Sequence, residues 1–249
     1  MDAGRPALPR RGHETDMTQG SVLLHLFYFS LPLLAGNLFQ QLYNMVDAWV
    51  VGNFVSNEAF SAVGTVTSII NMLIGSFMGL ASGAGVVISQ YYGAKKPDKV
   101  EQAVHTAAAL TLILSVAFTA VGVTVTPFML RLMKTPPEVF PESSAYLTII
   151  FAGITGLMFY NMGAGILRAV GDSRRPFYFL MTAALLNTGL DLLFVIVFQM
   201  GVRGVAYATI IAQAVSALLT VTALLRTSSC VRLDVRKIRI HWSLLVQII

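Results

Sequence analysis

The chain has 249 residues, of which 55% are hydrophobic and only 12% charged, and its mean hydropathy is +0.71. A soluble domain carries about 25% charged residues, so this chain has too little polar surface to dissolve as a compact globule and reads as an all-α integral membrane protein. Its net charge of +5 is scattered in short clusters between apolar runs and forms no basic stripe, which argues against nucleic acid as a partner, and a lone cysteine, Cys230, excludes disulfide frameworks and multi-cysteine metal sites.

Residues 1–17 read as a polar cytoplasmic extension, within which Met17 is an alternative start. A membrane-crossing helix needs about 20 apolar residues. Six stretches qualify in chain order: 22–46, 60–92, 102–130, 143–167, 176–202 and 204–225. Residues 18–228 therefore form a six-helix unit. Residues 229–249 read as a cytoplasmic linker followed by the first turns of a seventh helix, beginning at Trp242. The first stretch lacks the short apolar region and small-residue cleavage site of a signal peptide, so it is retained, and Pro32 predicts a bend within it.

Orientation follows from the basic residues, because short loops rich in Lys and Arg stay in the cytoplasm. Fourteen of the 17 fall in alternate segments: the N-terminus, the loop at Lys95–Lys99, the loop at Arg168–Arg175 and the linker at Arg226–Arg239. Arg131, Lys134 and Arg203 are the exceptions. This places the N-terminus in the cytoplasm and the loop near Pro136 outside, in a multi-pass protein of the cell membrane.

Polar groups inside such helices cost energy, about 2.5–3.5 kcal/mol for an Asp at mid-membrane, so each one needs a reason. The first helix carries Asn37, Gln40, Gln41, Tyr43, Asn44 and Asp47. At 100° per residue these share an arc of about 160°, a polar face directed away from lipid. Asp191 lies near the middle of the fifth helix with Asn187 one turn earlier on the same face, and the sixth helix adds Thr209, Gln213, Ser216 and Thr220. Three helices thus aim polar faces at a common interior, where oxygen ligands suit a proton or a small cation. The alternatives are a solvated Asp47 at the outer interface, a solvated helix end or a structural hydrogen bond for Asp191, and helix–helix packing for the Thr209–Thr220 stripe. Gly75, Gly79 and Gly83 make two overlapping GxxxG steps and predict close packing of the second helix. The four histidines and Cys230 read as incidental, and no residue set supplies a nucleophile, base or metal constellation, so an enzyme is not expected.

The stretches 32–64 (PLLAGNLFQQLYNMVDAWVVGNFVSNEAFSAVG), 79–100 (GLASGAGVVISQYYGAKKPDKV), 167–176 (LRAVGDSRRP), 187–195 (NTGLDLLFV) and 201–213 (GVRGVAYATIIAQ) together resemble the N-terminal lobe of a MATE multidrug and toxin extrusion transporter. The resemblance implies a fold of twelve helices in two six-helix lobes, of which this chain supplies the first lobe and the opening of helix seven; the second lobe, normally on the same chain, is absent. It further implies an antiporter that exports a cationic or amphipathic small molecule in exchange for H⁺ or Na⁺, with no cofactor and no metal other than that coupling ion. Residue by residue, it assigns ion coupling to Tyr43, Asp47, Asn187, Asp191 and Thr209. Asn37, Gln40, Asn44 and Gln213 are candidates for the substrate cavity, and membrane lipid is the surrounding partner. The alternatives are a lipid-linked oligosaccharide flippase of the same superfamily, which favours a cationic cavity, and a non-transporting membrane fragment.

Overall fold

A computed structural model describes residues 22–55 and 57–248; the extension 1–17, with Met17, lies outside the described residues. Six long helices follow one another: α1 (Val22–Phe54), α2 (Asn57–Gly93), α3 (Pro97–Leu132), α4 (Phe140–Ala169), α5 (Arg174–Leu192) and α6 (Gly201–Arg226). A π-helical turn, Leu193–Val197, extends α5, and a short α7 (Trp242–Ile248) ends the described chain. Five segments among the described residues are long and apolar enough to cross a membrane: Ile70–Gly93, Pro97–Leu132, Phe140–Ala169, Arg174–Val197 and Gly201–Arg226. The 33 residues of α1 reach about 50 Å at 1.5 Å per residue.

The loops are made by local chemistry. Pro97 opens α3, where its missing N–H costs nothing, and Asp98 in the first turn complements the helix dipole. At the end of α4 the chain turns through Gly171, whose φ of 87° suits glycine, and the Asp172 N–H donates to the Leu167 carbonyl at 3.0 Å, a Schellman-type closure. The buried Asp172 carboxylate then accepts from the Arg175 N–H at 3.1 Å and pairs with the Arg175 guanidinium, which ties the start of α5 to the end of α4. One predicted boundary moves. Arg203 was expected to divide the fifth and sixth stretches, yet it lies in the first turn of α6, and the reversal occurs at Phe198–Met200. There the Phe198 N–H reaches the Leu193 carbonyl at 3.0 Å, and Gln199 and Gly201 adopt left-handed φ values of 51° and 59°. The charge marked a loop in sequence, but backbone geometry placed the turn three residues earlier.

Helix α4 is the hub of the bundle, packed against α6, α3 and α2, while α5 joins α6 to α1. Leu147, Ile150, Phe151, Ile154, Met158 and Ile166 of α4 fill the core. Its glycines let α6 approach: a Cβ at Gly156 would lie 3.0 Å from the Ala214 backbone nitrogen, and Cβ atoms at Gly153 and Gly163 would overlap Ile210 and Thr220. The predicted GxxxG role falls elsewhere. A Cβ at Gly75 or Gly79 meets nothing within 4 Å, and both glycines are exposed; only Gly83 is covered, by the Ile248 carbonyl of α7. The small-residue face of α2 is open at Gly75 and Gly79 and packs closely only at Gly83, against α7, while the close contact between long helices is made by the glycines of α4 against α6.

The histidines were also underestimated. His105 is buried, its Nδ1 2.7 Å from the Glu101 carbonyl, and its Nε2 accepts from the Asp234 N–H at 3.0 Å, which pins the linker to α3. The His241 N–H donates to Thr106 Oγ1 at 3.2 Å and Lys237 Nζ donates to Glu101 Oε1 at 2.8 Å. The Glu101 partner raises the Lys237 pKa, but the pair is exposed and contributes little. The Asp234 N–H that His105 Nε2 accepts from lies 129 residues away in sequence, so nothing local announced it.

Overpacking a close helix contact costs about 1–3 kcal/mol. Gly156→Val is therefore expected to lower the thermal unfolding midpoint of the purified protein in detergent by several degrees, because the nearest atoms are α6 backbone that cannot turn aside. Gly75→Ala is expected to leave it unchanged or slightly raised, since the helix gains propensity and nothing is displaced. Equal effects of the two would contradict the packing assignment.

Candidate functional site

The helical wheel of α1 divides into three sectors once burial is laid on it. Leu31, Leu34, Leu38, Leu42, Met45 and Trp49 are exposed and apolar, on an arc of about 80° at 100° per residue. Gly36, Asp47 and Val50 face the bundle. Between these two sectors Asn37, Gln40, Gln41 and Asn44 form an exposed polar arc, with Asn44 Nδ2 donating to Gln41 Oε1 at 3.3 Å. A helix wholly surrounded by lipid has no use for such an arc, so this side of α1 borders an aqueous or polar space.

The predicted coupling residues meet on the bundle side. Asp47 is 8% exposed, and Asn187 and Asp191 are fully buried. The Asp47 and Asp191 carboxyl groups lie within hydrogen-bonding reach of each other, joining α1 to α5. The Tyr43 side chain reaches both Asp47 and Thr209. Thr209 Oγ1 donates to the Val205 carbonyl at 2.9 Å, which leaves its oxygen lone pair available to the site. Tyr146 of α4 is buried close to both carboxylates.

Hydrogen-bond accounting singles this cluster out. Asp47 Oδ1, both carboxylate oxygens of Asp191 and both amide atoms of Asn187 have no hydrogen-bond partner among the described residues. A carboxylate only accepts, so two carboxylates in contact satisfy neither oxygen unless a proton or a cation lies between them. A buried polar atom left unmatched costs about 1–3 kcal/mol. The donor set of carboxylates, amide, phenol and hydroxyl is oxygen throughout, the preference of a proton or a hard cation rather than a soft transition metal. Among the described residues no three His, Cys, Asp or Glu side chains converge as a metal site.

The remaining candidates separate. Gln213 is half-buried one turn beyond Thr209 on α6. Ser216 and Thr220 donate to carbonyls of their own helix at 2.8 and 2.7 Å, and Thr220 faces Gly163 of α4, so that end of the stripe is packing. Asn37, Gln40 and Asn44 are not brought to the carboxylates; they stand on the neighbouring exposed arc. Tyr146 escaped the sequence reading. Its signal was a Ser143–Tyr146 pair at the start of the fourth span, since a tyrosine in an apolar run usually finds a partner for its hydroxyl.

Comparison with known proteins gives the same outline. The family model MatE matches residues 32–193. A probable multidrug resistance protein of Bacillus subtilis (strain 168), YpnP, is 36% identical over 201 residues, covering 81% of this chain and 45% of its own length. A second from the same organism, YoeA, is 33% identical and covers 77% and 42%. A solved structure described as the outward-facing conformation of a multidrug resistance MATE family transporter of the MOP superfamily superposes with a TM-score of 0.86 at 27% identity, over 92% of this chain and 51% of that one. The chain spans about half the length of the curated relatives it matches.

The unmatched carboxylates yield a stability prediction. In neutral buffer free of added sodium, Asp47→Asn and Asp191→Asn are each expected to stabilise the purified chain by about 1–3 kcal/mol, because each supplies an amide donor to an orphaned oxygen. The double substitution is expected to fall short of the sum by at least about 0.5 kcal/mol. Additive effects, read from thermal unfolding, would mean that the two side chains do not interact.

Proposed function

The chain belongs to the MatE family, and on that premise we propose that it is the N-terminal lobe of an antiporter that exports cationic or amphipathic small molecules in exchange for H⁺ or Na⁺. The family is one of transporters, not enzymes, and the chain is a multi-pass membrane protein. The observation that carries the proposal is the contact between Asp47 and Asp191, whose orphaned oxygens need a cation.

In this reading the two acids and Asn187 hold the coupling ion, with Tyr43 and Thr209 completing an oxygen shell. Two like charges about 4 Å apart repel by about 4 kcal/mol at an effective dielectric constant of 20. Occupancy by a cation relieves that repulsion and draws α1 towards α5; release restores it and loosens the contact. The helix that moves also carries Asn37, Gln40 and Asn44 on its exposed arc, so ion occupancy and the surface offered to a substrate are two sides of one helix. Gln213 extends the polar lining from α6. A second lobe forms the opposite wall of the path, and rocking of the two lobes gives alternating access. A flippase for anionic lipid-linked sugars is less well supported, because the buried charges of the α1–α5 contact are acidic. The distribution of basic loops supports an orientation in the cell membrane with the N-terminus in the cytoplasm.

Joined to a complete second lobe and matched for surface expression, Asp47→Asn and Asp191→Asn are expected to reduce gradient-driven drug export from vesicles at least tenfold. Asn187→Ala is expected to weaken coupling less. Parental export by Asp191→Asn, with its gradient dependence intact, would sink the coupling assignment. For the topology, a cysteine replacing Glu138 should react with an impermeant thiol reagent added to intact cells, and one replacing Lys96 should be protected; the reverse pattern would invert the orientation.

A further inference from the structure

Helix α3 begins on the side of the bundle away from the acid pair, because α1 ends where α2 starts, α2 ends where α3 starts, and Asp47 lies two turns from the end of α1. On that side two histidines, which the ion chemistry does not use, lay the segment between α6 and α7 across α3. His105 Nδ1 stands 2.7 Å from the Glu101 carbonyl, which only accepts, so Nδ1 carries the hydrogen and Nε2 is left bare to accept the Asp234 N–H at 3.0 Å. Thr106 Oγ1 donates to the Gln102 carbonyl at 2.8 Å, so towards His241 it only accepts, from the backbone N–H at 3.2 Å and from Nδ1 at 3.3 Å. His241 Nε2 is then bare as well, and it is enclosed with no hydrogen-bond partner among the described residues. The docked segment is built for two neutral rings.

Protonation works against both contacts. A proton on His105 Nε2 turns the acceptor into a donor facing the Asp234 N–H; the Asp234 carbonyl, 3.1 Å from Nε2, can take that proton only by leaving the N–H unmatched. A proton on His241 Nε2 adds charge where burial, then Arg239, Lys99 and His105 in turn, hold the His241 pKa below the ordinary histidine value. The acids nearby are committed elsewhere. Glu101 accepts from Lys237 Nζ at 2.8 Å, Asp234 Oδ1 accepts from the Arg236 N–H at 3.0 Å, and Asp98, two turns before His105, is exposed. Arg232 adds a further exposed positive charge on the segment, while α7 brings no charged residue. From α2 comes Tyr91, whose hydroxyl donates to Gln247 Oε1 at 3.0 Å beside the seat of Ile248 on Gly83. The position of α7 on α2 thus continues directly from the two histidine contacts on α3.

We propose that His105 and His241 form a proton-operated latch: with both rings neutral they fasten the α6–α7 segment and α7 to α3, and acid on the side of the basic loops releases them and frees α7 from its seat on Gly83. The sign follows from proton counting. Docking needs both Nε2 atoms bare, so the undocked segment binds more protons than the docked one. The latch is therefore closed above the free histidine value of about 6.5 and loosens as pH falls below it, up to about tenfold per pH unit for each proton taken up. It stands apart from the coupling reading, since neither histidine touches Asp47 or Asp191.

Amide hydrogen exchange of residues 230–241 in the purified chain, corrected for the intrinsic pH dependence of exchange, reads the latch between about pH 7.5 and about pH 5.5. Protection in the parental chain is expected to fall at least tenfold at the lower pH while that of α4 and α6 holds. Protection that stays flat, or that falls equally in α4 and α6, overturns the latch. His105→Gln places an amide oxygen near the position of Nε2, and His241→Asn keeps a donor towards Thr106; neither side chain titrates in this range. Together they are expected to keep the segment docked at both pH values, and each alone to leave a shallower response, of about one proton. A double variant that loosens with acid as the parental chain does overturns the assignment to the rings. Glu101→Gln decides the matter where the double variant fails to fold, because it removes the Lys237 partner and keeps both histidines. Its acid response is expected to persist, and loss of that response would assign the sensor to the ion pair and overturn the proposal.

Discussion

Two carboxylates brought into contact inside an apolar bundle impose a condition that the rest of the structure has to meet. Asp47 and Asp191 reach each other across α1 and α5, with Asp47 Oδ1 and both Asp191 oxygens matched by no donor among the described residues. Each alone is costly to place in a membrane, and together they add mutual repulsion. Such a pair persists only where something positive visits it. The surrounding phenols, amide and hydroxyl can orient around that visitor, but none of them neutralises it. The electrostatic deficit is therefore stored at the junction between one helix with an exposed polar arc and another that ends in a π turn. A change of charge there acts on the contact between α1 and α5.

The rigid part lies elsewhere. The α4–α6 contact is set by Gly153, Gly156 and Gly163, where backbone meets side chain or backbone directly, and the buried hydroxyls of Ser216 and Thr220 satisfy themselves within their own helix. This gives α6 a fixed platform from which Thr209 can face Tyr43. On the other flank, His105 and Thr106 hold the linker against α3, so the path from α6 to α7 is also anchored. Fixed α4 and α6, with α1 and α5 meeting through a charged contact, form a division of labour suited to a switch.

Much of the outline was legible in sequence because membrane helices announce themselves. Apolar length found all six long helices, and the rarity of acids inside them isolated Asp47 and Asp191 without any three-dimensional information. Asn187 followed from helical spacing. What failed were features decided by distant partners. Gly75 and Gly79 have the spacing of a packing motif, but which glycine face meets a neighbour depends on where α4 lies, and the structure uses the glycines of α4 instead. Arg203 looked like a loop residue, whereas the turn was set by left-handed backbone at Gln199 and Gly201. His105 meets the Asp234 N–H, and Tyr146 the two carboxylates, across long gaps in sequence. The polar arc of α1 was read as one face. Burial splits it into an inner part, Tyr43 and Asp47, and an outer part, Asn37, Gln40 and Asn44, a distinction that only the position of α5 can make.

The central claim is that the two acids work as a single cation site, and ion stoichiometry tests it most directly. Purified chain in detergent is equilibrated with ²²Na⁺ at several pH values, and proton release on sodium addition is recorded with an indicator dye in weakly buffered solution. The account predicts one monovalent cation per chain, either sodium or a proton that sodium displaces or fails to displace, and loss of that ion in Asp47→Asn and in Asp191→Asn alike. Two independent ions per chain, or one ion retained in full by either single variant, would contradict it.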